Sequence, residues 1–195
     1  MVKTLVLVRH GAPEAAAASG ADLDRRLTAS GARALRTAYP RTFALLGDDA
    51  QVEVWSSPAV RALETADVVA AATGAEDIEV HQSLYAQDMA AFLAELEASD
   101  ALVVAAVGHA PFVDNLATRL LGQCPSFGKG TAVAIDLPDG ASSRGVLRWY
   151  VAGPEVASWE ELASVERAVA LAASDLSARS EAFLAKPEDA EGLRQ

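Results

Sequence analysis

Apolar positions along the chain follow two alternating patterns. Short continuous apolar runs, typical of buried strands, are separated by longer stretches whose apolar residues recur with the period of a helix. The strands are predicted at residues 4–8, 51–57, 78–81, 101–109, 131–137 and 145–153. The helices are predicted at residues 27–47, 57–74, 89–99 and 111–122. This alternation predicts an α/β protein with a mostly parallel central sheet and helices on both faces.

Individual residues refine these boundaries. Pro40 is expected to break or bend the first helix, because proline donates no hydrogen bond to the helical ladder. Ser57 is expected to cap the second helix, with Pro58 at its first position and Gly74 at its end. The run ALVVAAVGH at 101–109 is the most apolar one, which predicts a central strand. The last two strands flank a turn-rich segment and predict a hairpin at the sheet edge.

The C-terminal part differs in composition. We predict one three-layer α/β/α domain over residues 1–153 and an acidic, alanine-rich helical extension over residues 154–195. Leu162, Val169 and Leu176 recur there at seven-residue spacing. Such a stripe fits a helix packed on the domain and also a helix that pairs two copies of the chain. A monomer and a homodimer therefore both stay open.

Composition narrows the function classes. The 195-residue chain has a net charge of −11, which argues against nucleic-acid binding, because that needs a basic surface. Cys124 is the only cysteine, so no internal disulfide can form, as expected in a reducing compartment. The N-terminal apolar run is too short for a signal peptide or a membrane span. We therefore expect a cytoplasmic protein without membrane or nucleic-acid partners.

Three predicted strands end on residues that suit an anion. The residues at these ends are Arg9, His10, Gly11, Ser57 and His109, with Arg61 one turn into the helix that follows the second strand. The carboxyl ends of parallel strands lie at one edge of a sheet, where such folds bind ligands. We therefore expect these side chains to converge there, together with the N termini of the two helices that follow.

A phosphoryl group fits this collection of residues. Arginine presents a planar fork of donors that matches phosphate oxygens, and helix N termini offer unpaired N–H groups. Imidazole can be a nucleophile when neutral and a donor when protonated. Gly11 is a candidate substrate-binding residue, because the absence of a Cβ would let the backbone approach the ligand.

Several segments together resemble a known family. They are LVLVRHG at 5–11, RRLTASGARAL at 25–35, SSPAVRALETA at 56–66, VGHAP at 107–111 and GKGTAVAIDL at 128–137. In this order they resemble the histidine phosphatase superfamily, also called the phosphoglycerate mutase-like family. Within it they are similar to the small bacterial SixA-type phosphohistidine phosphatases. The resemblance covers about residues 2–151 and leaves the C-terminal extension outside.

The resemblance implies a role for four of these residues. His10 matches the nucleophile, which forms a phosphohistidine intermediate. Arg9 and Arg61 match the arginines that hold the phosphoryl oxygens, and His109 matches the histidine that hydrogen-bonds the phosphoryl group during transfer. No metal or other cofactor is expected, since these residues supply the positive charge that the transition state needs.

Some of these residues have a purely structural interpretation. Ser57 is a candidate substrate-binding residue, but it first indicates a helix cap. Arg61 can pair with Glu64 or Asp67 on its own helix. His81 has no sequence neighbours that indicate chemistry.

A general acid is not evident. Ester hydrolysis benefits from one, because an alkoxide is a poor leaving group. The acid phosphatase branch has an aspartate directly after the second histidine, where this chain has Ala110. The mutase-like branch has a glutamate after the third strand, where this chain offers Asp88, which also fits a helix N-cap. Glu14 is a further candidate. The lack of an evident general acid resembles the situation in the SixA branch. The phosphoramidate substrates of that branch have a nitrogen leaving group, which departs more easily than an alkoxide.

We therefore predict a phosphatase that acts through His10 on a phosphohistidine protein or a phosphorylated small molecule. A phosphomonoesterase or mutase acting on a small metabolite stays open, although this chain lacks the long insertions of the mutase branch. A non-catalytic phosphate-binding module also stays open, but a pure binder would not need a nucleophile.

Overall fold

The computed structural model describes residues 3–123 and 125–154. Its sheet consists of β1 Lys3–Arg9, β2 Val52–Ser56, β3 Ile78–Val80, β4 Val103–Gly108, β5 Ala132–Leu137 and β6 Val146–Val151. The strand order is β3-β2-β4-β1-β5-β6. The first four strands run parallel, whereas β5 pairs antiparallel with β1 and β6 antiparallel with β5. The predicted mostly parallel sheet with an edge hairpin is confirmed, and so is the central place of β4.

Helices cover both faces of the sheet. They are α1 Ala29–Phe43, α2 Val60–Thr73, α3 Gln82–Ala86, α4 Met89–Ala98 and α5 Phe112–Leu121, with short 3-10 helices at Asp22–Asp24 and Ala44–Leu46. One apolar core lies between the sheet and α1 with α2, and the other lies between the sheet and α3, α4 and α5. The three-layer α/β/α arrangement is therefore confirmed. Helix α3 is an element that the apolar pattern did not indicate.

Strand β1 shows why a continuous apolar run forms the middle of this sheet. Leu5 and Leu7 point into the core under α5, whereas Val6 and Val8 point into the core under α1 and α2. All four side chains are completely buried, because successive residues of a strand face opposite sides. This rigid strand carries Arg9 and His10 at its carboxyl end.

The expected break of the first helix at Pro40 is wrong. Helix α1 continues through Pro40 to Phe43, and the amide of Ala44 donates to the carbonyl of Pro40. Proline removes one hydrogen bond to the residue four positions earlier. Because Pro40 lies in the last turn, the rest of the ladder is intact and a 3-10 turn follows.

The start of the second helix also differs from expectation. Helix α2 begins at Val60 with Ala59 as N-cap and without a side-chain cap, so Ser57 is not the capping residue and Pro58 precedes the helix. The hydroxyl of Ser57 is directed instead to an imidazole ring, described below. Gly74 ends the helix in the left-handed conformation, with φ of 75°, as predicted.

The remaining sequence predictions fall outside the described residues. Cys124 and residues 155–195 are not among them, so the helical extension, its two packing alternatives and the domain boundary stay predictions. Within the described ranges, no helix has the length and apolar character that a membrane span requires.

Candidate active site

The strand register brings the predicted strand ends together. Arg9 lies opposite Gly108, and the amide of His10 donates to the carbonyl of Gly108 over 3.0 Å. The amide of Ser57 is bonded to β4 in the same way, also over 3.0 Å. The rings of His10 and His109 consequently lie 5.0 Å apart, edge to face. The predicted convergence at one edge of the sheet is therefore present.

The hydrogen bonds of His10 fix which ring nitrogen carries the proton. Its Nδ1 lies 2.8 Å from the carbonyl oxygen of Gly11, and a carbonyl can only accept, so Nδ1–H must donate. The proton is assigned by this bonding pattern, and it leaves a lone pair on Nε2. The Nε–H of Arg61 donates to this Nε2 over 3.3 Å. His10 is thereby held neutral, with Nε2 as its unprotonated nucleophilic atom.

Arg61 is the second residue of α2 and is almost fully buried. Its pairing with Glu64 or Asp67 is not adopted, because Glu64 binds Arg26 over 2.6 Å on the loop before α1. Arg61 pairs instead with Asp22: Nη1 donates to the Asp22 carbonyl over 2.7 Å, and Nη2 donates to Oδ2 over 2.9 Å. The guanidinium group is thus held by the 3-10 helix while its Nε faces His10.

Arg9 is anchored on one side and unpaired on the other. Its Nη1 donates to the carbonyl of Phe127 over 2.5 Å. Its Nε is buried and has no hydrogen-bond partner among residues 3–123 and 125–154. Buried donors are normally paired, so this unpaired N–H suits an oxyanion that binds beside His10.

His109 is oriented by the residue that was expected to cap α2. Its Nε2 lies 2.7 Å from the hydroxyl oxygen of Ser57. Its Nδ1 is buried and lacks a hydrogen-bond partner in the described part of the chain. The rings of Tyr85 and His109 form an edge-to-face pair, with centroids 6.1 Å apart. Ser57 therefore positions His109, and direct contact of Ser57 with substrate stays a prediction.

The contacts of Gly11 are internal. Its amide donates to the hydroxyl of Thr65 over 3.1 Å, and its carbonyl accepts from His10. An added Cβ would lie 2.6 Å from a methyl carbon of Leu35, which is completely buried. The missing side chain thus lets α1 approach β1 closely, and the binding of substrate by Gly11 stays a prediction.

Both site histidines are held in the neutral form. Burial lowers the pKa of His10 to about 4, together with the charges of Arg61, Arg9 and Arg25, and against the opposing effect of the bond to Gly11. Burial likewise lowers the pKa of His109 to about 3. Near pH 7 an imidazole nucleophile is therefore unprotonated and available.

These shifts predict acid-dependent stability. Unfolded histidines bind protons near pH 6.5, whereas His10 and His109 bind them only near pH 4 and 3, so the unfolded state gains protons first as the pH falls. We expect the free energy of unfolding to fall by about 2 kcal/mol per site histidine between pH 7 and pH 5. Urea unfolding of wild type and His109→Asn at both values would measure this. An equal loss of unfolding free energy in His109→Asn and in wild type would contradict the low pKa of His109.

Two charged residues of the site were missed at the sequence level. Asp22 binds Arg61, and its Oδ1 lies 3.3 Å from Nη1 of Arg25. The charge of Arg25 contributes to the low pKa of His10. The charged run DLDRR at 22–26 overlaps the segment at 25–35 that carried part of the family resemblance, and this signal could have drawn attention to both.

The predicted acid candidates have other contacts. Asp88 is the N-cap of α4, which was the structural alternative to its role as an acid. Its carboxylate accepts a hydrogen bond from the amide of Ala91 over 3.0 Å. Glu14 lines a groove of about 670 Å³ between the loop and helices α1 and α2, beside Arg26. His81 has partners that its sequence context did not show: it lies 2.9 Å from Glu95 and stacks on Trp55.

The described residues contain no group of three or more His, Cys, Asp or Glu side chains arranged to hold a metal ion.

Comparison with known proteins adds a family assignment to this geometry. The model of the histidine phosphatase superfamily (branch 1) matches residues 5–92, a range that includes Arg9, His10 and Arg61. This part of the described domain matches the histidine phosphatase superfamily. Its enzymatic class is that of a hydrolase, a phosphatase, and the family match leaves the substrate open. No curated protein matches the chain significantly.

Several solved phosphatase structures share the fold. A SixA protein histidine phosphatase complexed with tungstate is 24% identical, with a TM-score of 0.63 over 77% of this chain and 97% of that one. A SixA-type putative phosphohistidine phosphatase from Nakamurella multipartitia is 29% identical, with a TM-score of 0.61 over 78% and 97%. A mycobacterial glucosyl-3-phosphoglycerate phosphatase is 18% identical, with a TM-score of 0.55 over 78% and 100%. The names of these phosphatases indicate different substrates.

Proposed function

We propose that this histidine phosphatase hydrolyses phosphoryl groups through a phospho-His10 intermediate and prefers phosphoramidates, with phosphohistidine as the substrate class. The observation that supports this proposal is the protonation state of His10. Its Nδ1–H is bound to the Gly11 carbonyl, and its unprotonated Nε2 lies 3.3 Å from Nε of Arg61. A nucleophile and a cationic donor thus lie side by side, as transfer of a dianionic group requires.

The proposed reaction has two steps. The Nε2 lone pair of His10 forms a bond to phosphorus, and the bond from phosphorus to the leaving nitrogen or oxygen breaks with its electron pair going to that atom. Water then attacks phosphorus, and the electron pair of the P–N bond returns to Nε2. One proton of the water stays on inorganic phosphate, and the other reaches the leaving group through solvent. Arg9 and Arg61 would balance the charge on the phosphoryl oxygens in both steps.

The preference for a phosphoramidate follows from the contacts of the acid candidates in the described part of the chain. Asp88 caps α4, and the residue after His109 is Ala110. Burial acts to raise the pKa of Asp22, but the hydrogen bond and charge of Arg61, together with the charge of Arg25, keep that pKa below the usual value. A carboxylate that stays ionised cannot donate a proton to an alkoxide. The site would therefore favour substrates whose leaving group needs no proton from the protein.

Substrate comparison tests this preference. We expect kcat/KM for a phosphohistidine peptide and for an aryl phosphate to exceed that for phosphoserine by at least about a hundredfold, because a general acid contributes about that much. The measurement is phosphate release from matched phosphopeptides at pH 7. Equal rates for phosphohistidine and phosphoserine would refute the preference. They would indicate an acid-assisted phosphomonoesterase, as in the small-metabolite alternative.

A further inference from the structure

Asp22 holds Arg61 through two different groups. The residue opens the 3-10 helix Asp22–Asp24, on the loop between β1 and α1. Its backbone carbonyl accepts from Nη1 of Arg61 over 2.7 Å, and its carboxylate accepts from Nη2 over 2.9 Å. The guanidinium group is almost fully buried, whereas the aspartate is more than half exposed. The loop therefore reaches over the site and binds the arginine from the solvent side.

The two bonds occupy one particular edge of the guanidinium group. Its five N–H donors have a fixed planar arrangement, in which Nη1 and Nη2 form the end edge, whereas Nε and Nη2 form the side edge. Asp22 takes the end edge. The side edge faces Nε2 of His10, because the Nε of Arg61 donates to that atom over 3.3 Å. A phosphoryl group attached to His10 would therefore meet the edge that Asp22 leaves free.

Asp22 also acts on the charges around the site. Its Oδ1 lies 3.3 Å from Nη1 of Arg25, so a single carboxylate contacts two arginines, one on the loop and one on α2. Its negative charge partly opposes the fall in the pKa of His109. An acidic group placed this close to an anion site would by charge alone weaken anion binding.

We infer that Asp22 is a positioning residue: it clamps the end edge of the Arg61 guanidinium so that the side edge is presented to a phosphoryl group on His10. This inference rests on the proposed function of the site. It adds that the loop carrying Asp22 completes the oxyanion site. The opposite role would be an internal anion that competes with the substrate for Arg61. The two roles predict effects of opposite sign on oxyanion binding.

Tungstate binding by Asp22→Ala, measured by isothermal calorimetry, separates these roles without turnover. We expect about tenfold weaker binding than in wild type, because a misplaced arginine loses its fixed geometry. Asp22→Asn retains the backbone carbonyl and one side-chain oxygen. Its affinity for tungstate is expected to lie between those of wild type and Asp22→Ala. Asp24→Asn is the matched control, since Asp24 lies in the same 3-10 helix and bonds Ser19 instead. It is expected to bind as wild type does.

Other outcomes would overturn the inference. Tighter binding by Asp22→Ala would show a competing anion, and equal binding would show no role. Steady-state rates on an aryl phosphate add a second readout, because lost positioning lowers kcat as well as raising KM. Unchanged kcat with raised KM would also overturn it. If wild type binds no tungstate, the proposed oxyanion site itself fails. If wild type binds tungstate and Asp22→Ala binds it equally well, only the positioning role of Asp22 fails.

Discussion

The variant His10→Asn is expected to lose turnover of an aryl phosphate by about ten-thousandfold or more, the scale seen when a catalytic nucleophile is removed. Asparagine can keep a polar contact to the Gly11 carbonyl, but it has no ring nitrogen in the place of Nε2. The reaction would then lack the atom that accepts the phosphoryl group. Steady-state release of the aryl alcohol at pH 7 measures the loss.

The variant His81→Asn is the matched control for this change. His81 is also a mostly buried histidine at the end of a strand, but it stacks on Trp55 and binds Glu95. We expect its kcat to stay within a few-fold of wild type. Comparable activity of His10→Asn and wild type, with both proteins folded, would refute the role of His10 as nucleophile.

The second large effect is expected for Arg61→Lys, which keeps the positive charge and removes the fork. Lysine cannot bind Asp22 along one edge and direct a second edge at His10, because it carries a single ammonium group. Arginines that contact a transferring phosphoryl group contribute about a thousandfold or more, so we expect kcat/KM to fall by about a thousandfold. The measurement is the same aryl phosphate assay, with far-ultraviolet circular dichroism as a check on folding.

The variant Arg36→Lys provides the comparison for this substitution. Arg36 is exposed on α1 and lines the groove between α1 and α2. We expect wild-type rates for it. An Arg61→Lys enzyme as active as this control would show that charge alone suffices and that the geometry of the guanidinium group has no catalytic role.

The sequence was sufficient to predict the sheet and the convergence of the strand ends. Buried strands such as β1 and β4 have a local signature, since nearly every residue is apolar, and the polar residues that end them then stand out. Parallel pairing then determines where these polar residues lie. Because β1 and β4 are parallel neighbours, Arg9, His10 and His109 lie at the same edge of the sheet. The catalytic roles of the four candidate residues were implied by the family resemblance and not by this topology.

The contacts that refine the site depend on long-range packing. Ser57 shows a capping sequence, but the register of β2 with β4 places its hydroxyl beside His109. Asp22 and Arg61 are separated by 39 positions in the chain and meet only because the loop folds back over α2. The period of apolar residues carries no information on such pairs, and a charged loop ordinarily indicates a solvated surface.

The central claim is that His10 becomes phosphorylated, and rapid-quench labelling tests it most directly. Wild type and His10→Asn would be mixed with an aryl phosphate labelled at phosphorus, quenched within milliseconds, and analysed for protein-bound label. The account predicts an acid-labile, base-stable phosphoenzyme in wild type, with the label on His10, and none in the variant. Wild-type turnover without any such label, or label on a residue other than His10, would contradict it.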